Sequence, residues 1–158
     1  MVVSLAGTAL VVGTLAGTAL GGLAGTALGG TLAGAALVVG IVFVMIGVDH
    51  FLRTQWYTPI VPKVLGQPDV WVYLSGVAEI CFGVLFMIPK HRPLAAKAGM
   101  AMLVVLYWAN LNMWVNGIPL NGVRYGTGWH IGRLAAQLLL LVLLAWIADL
   151  LPKRRDER

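Results

Sequence analysis

Residues 70–88 read VWVYLSGVAEICFGVLFMI, nineteen residues with one charge, Glu79, near the middle. A helix crosses the hydrocarbon core of a bilayer with about 20 mostly apolar residues, so this run is read as a span. Three more runs have the same character: Thr31 to Asp49, Leu94 to Val115 and Trp129 to Leu151. Proline and glycine separate them. Pro59, Pro62 and Pro68 occupy the first break, Pro89 and Pro93 bracket a tight second one, and Gly117, Pro119, Gly122, Gly126 and Gly128 fill the third. The expected fold is all-α, an integral membrane four-helix bundle over residues 31–151, followed by a basic tail at 152–158.

Composition agrees. The 158 residues are 59% hydrophobic and 11% charged, whereas soluble domains carry about 25% charged residues. A small soluble fold still exposes roughly a third of its unfolded surface. This chain has too few polar groups to clothe that surface, which excludes a soluble enzyme. A disordered chain is excluded as well, since it needs low hydrophobicity and high charge. The net charge of +5 is split between short hydrophilic breaks, where basic residues act as topology signals and not as a nucleic-acid site. Lys90, Arg92, Lys97, Lys153, Arg154, Arg155 and Arg158 fall on one side, against Arg53, Lys63, Arg124 and Arg133 on the other. The positive-inside rule then puts the 89–93 turn and the C-terminus in the cytoplasm of a prokaryotic inner membrane. Trp56, Tyr57, Trp71, Trp114 and Trp129 fall near the outer ends of the spans, as an aromatic belt would.

Residues 1–30 are low-complexity Gly, Ala, Thr and Leu sequence, with LAGTAL at Leu5, Leu15 and Leu23 and LAGAAL at Leu32. The uneven spacing is no solenoid repeat. An uncharged apolar run suits an additional N-terminal span, with a loosely membrane-associated extension as the alternative. A break is expected near Gly21-Gly22 or Gly29-Gly30.

Charged and polar residues inside a bilayer are functional candidates by default. Glu79 is flanked by Gly76 and Gly83 on one helical face, which lets it point into the bundle. His130, Arg133 and Gln137 form one stripe on the last span, and Tyr107, Asn110 and Trp114 another on the third. At 1.5 Å per residue from the outer ends, Glu79 lies about 13 Å deep, Asn110 about 8 Å, and Arg133 and Gln137 about 6 and 12 Å. Asp49 and His50 lie at the outer mouth. Two readings stand side by side. In one, Glu79 and Arg133 form a buried ion pair that fixes helix register. In the other, Glu79, Asn110, Arg133, Gln137, His130 and His50 line a polar pocket in the outer half. His50 and His130 would be the ligands of a b-type haem, but nothing else in the sequence supports one, and no metal site is expected. The single cysteine, Cys81, excludes an intrachain disulfide and is expected as a small buried hydrophobe.

Gly47-Val48-Asp49-His50-Phe51, Ile60-Val61-Pro62, Ser75-Gly76-Val77-Ala78-Glu79 with Gly83, the turn from Pro89 to Arg92, Ala109-Asn110, and Arg133 with Gln137 follow one another in this order. In that series the chain resembles the DoxX family of small four-helix membrane proteins over roughly residues 40 to 150. It departs from the family at Trp108 and Ala135, where proline is common. The resemblance implies a link to quinone-coupled sulfur oxidation and to protein partners in membrane redox complexes. The function expected from it is an accessory membrane subunit of a redox or sulfur-handling system, with a quinone as ligand. The alternatives are a non-catalytic scaffold or assembly factor that grips a partner through its outer loops, and a proton or small-solute pathway. The aliphatic inner halves of the spans argue against a through-path.

Overall fold

The computed structural model describes residues 25–148 and 150, with side chains from residue 33 onward. The expectation of an extra span over residues 1–30 lies outside the described residues for 1–24, as does that for the tail at 152–158. The fold is all-helical. Helix α1 runs Gly25–Leu52, α2 is the short Thr54–Tyr57, α3 runs Pro68–Met87, α4 Arg92–Val115 and α5 Thr127–Ile147. Four of them are long and apolar enough to cross a membrane, the apolar part of α1 being Ala33–Leu52. Of the two places at which a break is expected, Gly29-Gly30 has none, since α1 continues unbroken through it, and Gly21-Gly22 lies outside the described residues. In an apolar setting the intrahelical hydrogen bond outweighs glycine's propensity cost of about 1 kcal/mol.

Local chemistry sets the ends. Proline opens α3 and α4, where its missing N–H is not needed. Ile88, ahead of Pro89, is extended and stops α3. Arg92 then caps that end, its Nε donating to the Phe86 carbonyl at 3.0 Å and its Nη2 to Met87 at 3.3 Å. Helix α4 ends at Gly117, φ 57°, with Ile118 N–H donating to Met113 O at 3.0 Å and Gly117 N–H to Trp114 O at 3.3 Å. This is a Schellman closure. The Asn121-Gly122 turn, both residues at positive φ, ties Leu120 to Val123 with reciprocal bonds of 3.0 and 3.1 Å, as an Asn-Gly hairpin turn should.

The closest packing joins α1 to α3 through four glycines. A Cβ on Gly40 would lie 2.7 Å from the Gly83 carbonyl oxygen, and one on Gly83 2.5 Å from that of Gly40. Gly47 and Gly76 face each other in the same way, at 2.6 and 2.9 Å. Backbone meets backbone along two turns of an antiparallel pair, as small-residue helix interfaces in membranes permit. Helix α4 approaches through Gly99, which receives the Phe82 ring.

Two apolar clusters result. One fills the end near the 88–91 turn with Ala36, Val39, Phe43, Phe82, Phe86, Ala96, Leu140 and Leu144 at its centre. The other, of Tyr57, Ile60, Val72, Met113 and Leu120, sits at the opposite end beneath the 53–67 and 116–126 connections. The buried polar groups lie between them. Cys81 is exposed on the outward face of α3, which corrects the expectation that it is buried. A lipid-facing surface is as apolar as the interior, so hydrophobicity alone does not tell the two apart.

Candidate functional site

Helix α1 brings His50 into the interior and α3 brings Glu79, both under 10% exposed. The Gly47–Gly76 contact lies within a turn of each and sets their approach. His50 Nδ1 lies 3.2 Å from Glu79 Oε2. The same nitrogen lies 2.8 Å from the Ile46 carbonyl oxygen. The proton it carries is directed at that carbonyl, and Glu79 Oε2 is left buried without a hydrogen-bond partner.

Arg133, on α5, is the second orphan. Its Nη1 is buried and has no hydrogen-bond partner. The guanidinium lies over the Trp129 ring, 4.7 Å from its centroid, a cation–π contact. The ion pair expected between Glu79 and Arg133 does not form. The tight α1–α3 seam gives Glu79 a neighbour on α1 instead of α5, and Arg133 is drawn to the ring one turn before it. The two remain electrostatic neighbours, and Tyr57, Tyr107, Tyr125 and His130 also lie near Arg133.

The remaining expected site residues divide. Gln137 bridges α5 to α4, its Nε2 donating to the Leu103 carbonyl at 2.9 Å, so it holds the helices together. His130 is buried between two indoles: it stacks on Trp114 at 5.4 Å and meets Trp129 edge-on at 5.0 Å. Asn110 is half-buried on α4.

Tyr57 belongs to the site although its sequence position suggests only an interfacial aromatic. It stacks on His50, ring centroids 4.0 Å apart, and donates a 2.7 Å hydrogen bond to Asp49 Oδ2. Asp49 pairs in turn with Arg53 at 3.0 Å, both partly exposed. Three bonds hold this connection in place: Thr58 Oγ1 to Asp69 at 2.6 Å, Trp71 Nε1 to the Leu65 carbonyl at 2.9 Å, and Asn112 Nδ2 to the Ile60 carbonyl at 2.9 Å. The signal for Asn112 was available, since an amide near a span end needs a partner.

Burial, followed by the bond to Asp49, pushes the Tyr57 phenol well above the tyrosine range. A folded-state value raised in this way contributes stability that is complete below the unfolded tyrosine value and is lost as pH rises beyond it. Alkaline titration followed by tyrosinate absorbance should show one late step, absent in Tyr57→Phe. Loss of amplitude in the ordinary tyrosine range in that variant, with any late step retained, would place the phenol in water.

A family model described as Domain of unknown function (DUF8561) matches residues 39–149. That range takes in the second half of α1 and all of α2 to α5, and leaves out the low-complexity start and the basic tail. No curated protein and no solved structure matches the chain.

Proposed function

This chain belongs to the family described as Domain of unknown function (DUF8561), and we propose that it is an accessory subunit of a membrane redox system, holding a quinone headgroup between Glu79 and Arg133. The observation that carries the reading is the pair of orphans: Glu79 Oε2 and Arg133 Nη1 are both buried without a hydrogen-bond partner. Leaving such groups unmet away from water costs several kcal/mol. A ligand that offers an acceptor to Arg133 and a donor to Glu79 relieves both. A quinol does this with two ring oxygens, and its apolar tail suits the space between helices. When bound, a quinone supplies two-electron, two-proton chemistry. The chain's own part is to hold and orient. Arg133 grips one oxygen, Trp129 steadies the guanidinium, and Glu79 receives a hydroxyl proton in a hydrogen bond. The resemblance to the DoxX family supports the redox setting.

The test is titration of the protein in lipid nanodiscs with a short-tailed benzoquinone, oxidised and reduced. Saturable one-to-one binding is expected, tighter for the reduced form, and weakened in Glu79→Gln. Absence of saturable binding in both redox states would overturn the reading and leave the polar layer as a packing device for a scaffold.

In the orientation proposed from the basic residues, the 53–67 and 116–126 connections face outward from a prokaryotic inner membrane. A reporter active only in the cytoplasm should work when fused at His91 or after Arg158 and be silent at Gly122. Activity at Gly122 with silence at the C-terminus would invert the protein.

A further inference from the structure

His50 is buried beside Glu79, yet holding a headgroup does not call for it. We infer that His50 is a proton carrier linking Glu79 to water at the end of the bundle that bears the 53–67 connection, and to that end alone. This rests on the side-chain geometry and holds whether or not the ligand is a quinone.

The Nδ1 atom stands between two acceptors, the Ile46 carbonyl at 2.8 Å and Glu79 Oε2 at 3.2 Å. A small rotation of the ring moves its proton from one to the other. On the far side the ring is covered by Tyr57, whose hydroxyl is engaged with Asp49. Asp49 and Arg53 reach solvent, with side chains 25% and 33% exposed. The route therefore runs from the Asp49–Arg53 pair, past Tyr57, to the imidazole and on to the carboxyl group. In the inward step the imidazole takes a proton at Nε2 from water and releases the one on Nδ1 to Oε2. The carboxylate becomes a carboxylic acid, and the ring is left neutral with its proton on Nε2. The reverse step returns the proton to the same water.

Among the described residues, no such route leads the other way. Beyond Glu79 toward the 88–91 turn stand Phe82, Phe86, Ala96 and Leu144, the last three within 1% of full burial. The other charged groups that act on this pair and on Tyr57 are Asp49 on α1 and Arg53 just after it, and Arg133 on α5; Tyr107 on α4, Tyr125 just before α5 and His130 on α5 face Arg133. The imidazole is the group whose ionisable nitrogen lies against the Glu79 carboxyl. Tyr57 acts through it and is a positioning residue.

The experiment is infrared spectroscopy of the full chain in nanodiscs, without added quinone, after a jump to acid pH and after transfer to D2O. The carboxylic C=O band lost in Glu79→Gln identifies the group. In the wild type this band should appear and shift promptly. His50→Gln keeps a donor for the Ile46 carbonyl but carries no excess proton; it should slow both changes about tenfold or more, while Gly132→Ala, whose added Cβ meets nothing within 4 Å, should stay within about twofold. Wild-type rates in His50→Gln, or a Glu79 band that fails to respond in the wild type, would overturn the inference. A positive result here with no quinone binding would remove the ligand and leave the proton route standing.

Discussion

Gly83→Ala is expected to destabilise the bundle by about 3 kcal/mol, at the upper end for overpacking. The added Cβ would lie 2.5 Å from the Gly40 carbonyl oxygen and within 3.0 Å of Val44 Cγ2 and Val44 N. Two of these are backbone atoms, which no rotamer change moves aside. Relief requires the helices to part, and parting them loosens the Gly47–Gly76 contact, the edge-on Phe43–Phe82 pair at 4.7 Å and the approach of His50 to Glu79. Against a total stability of about 5–15 kcal/mol this is a large fraction. Gly132→Ala is the control. It lies within α5, nothing stands within 4 Å of its Cβ position, and alanine is better than glycine in a helix by about 1 kcal/mol. Denaturant unfolding in mild detergent should move the two variants in opposite directions. Equal shifts would mean that the seam has slack.

The second large effect is a separation of stability from binding at Arg133. Arg133→Met should leave the ligand-free protein as stable as the wild type, or more so. Replacing a buried charge by an apolar side chain of similar volume is often neutral or stabilising, and here Nη1 has no hydrogen bond to lose. What is lost is the contact with the Trp129 ring, about 0.5–2 kcal/mol, against removal of a desolvated cation. Quinone binding should fall about 10- to 100-fold, since a hydrogen bond from a charged donor contributes about 1.5–3 kcal/mol. Unfolding curves and nanodisc titrations on the same preparation read both quantities. A strongly destabilised Arg133→Met would give the arginine a structural role. Undiminished quinone affinity would remove it from the site.

The spans and the breaks between them were legible because a bilayer imposes length and composition together, and because Pro68, Pro93, Gly117 and Gly122 carry their own conformational instructions. The polar layer was legible too, since depth along a helix follows from counting residues. Partnership across helices was not. The spacing of Gly76 and Gly83 marks a face on α3, but nothing within that helix says that α1 covers it. The signal lay in comparing helices, because Gly40 and Gly47 repeat the same seven-residue interval. Once they are paired antiparallel, His50 falls beside Glu79 and Arg133 does not. Tyr57 was hidden for another reason. Its connection has no periodicity, and it is brought back over His50 by tertiary bonds: its own to Asp49, that of Thr58 to Asp69, and those from Asn112 and Trp71.

The glycine seam also bears on the order in which the protein is made. Chains emerge N-terminus first, and domains tend to form as they emerge. Helices α1 and α3 are complete before α4 and α5 leave the ribosome, and their contact surface needs neither of the later two. The first hairpin can therefore close as a unit. In closing it sets His50 against Glu79, so the acidic side chain crosses into lipid already accompanied. Arg133 comes last, on a helix whose own tryptophan escorts it.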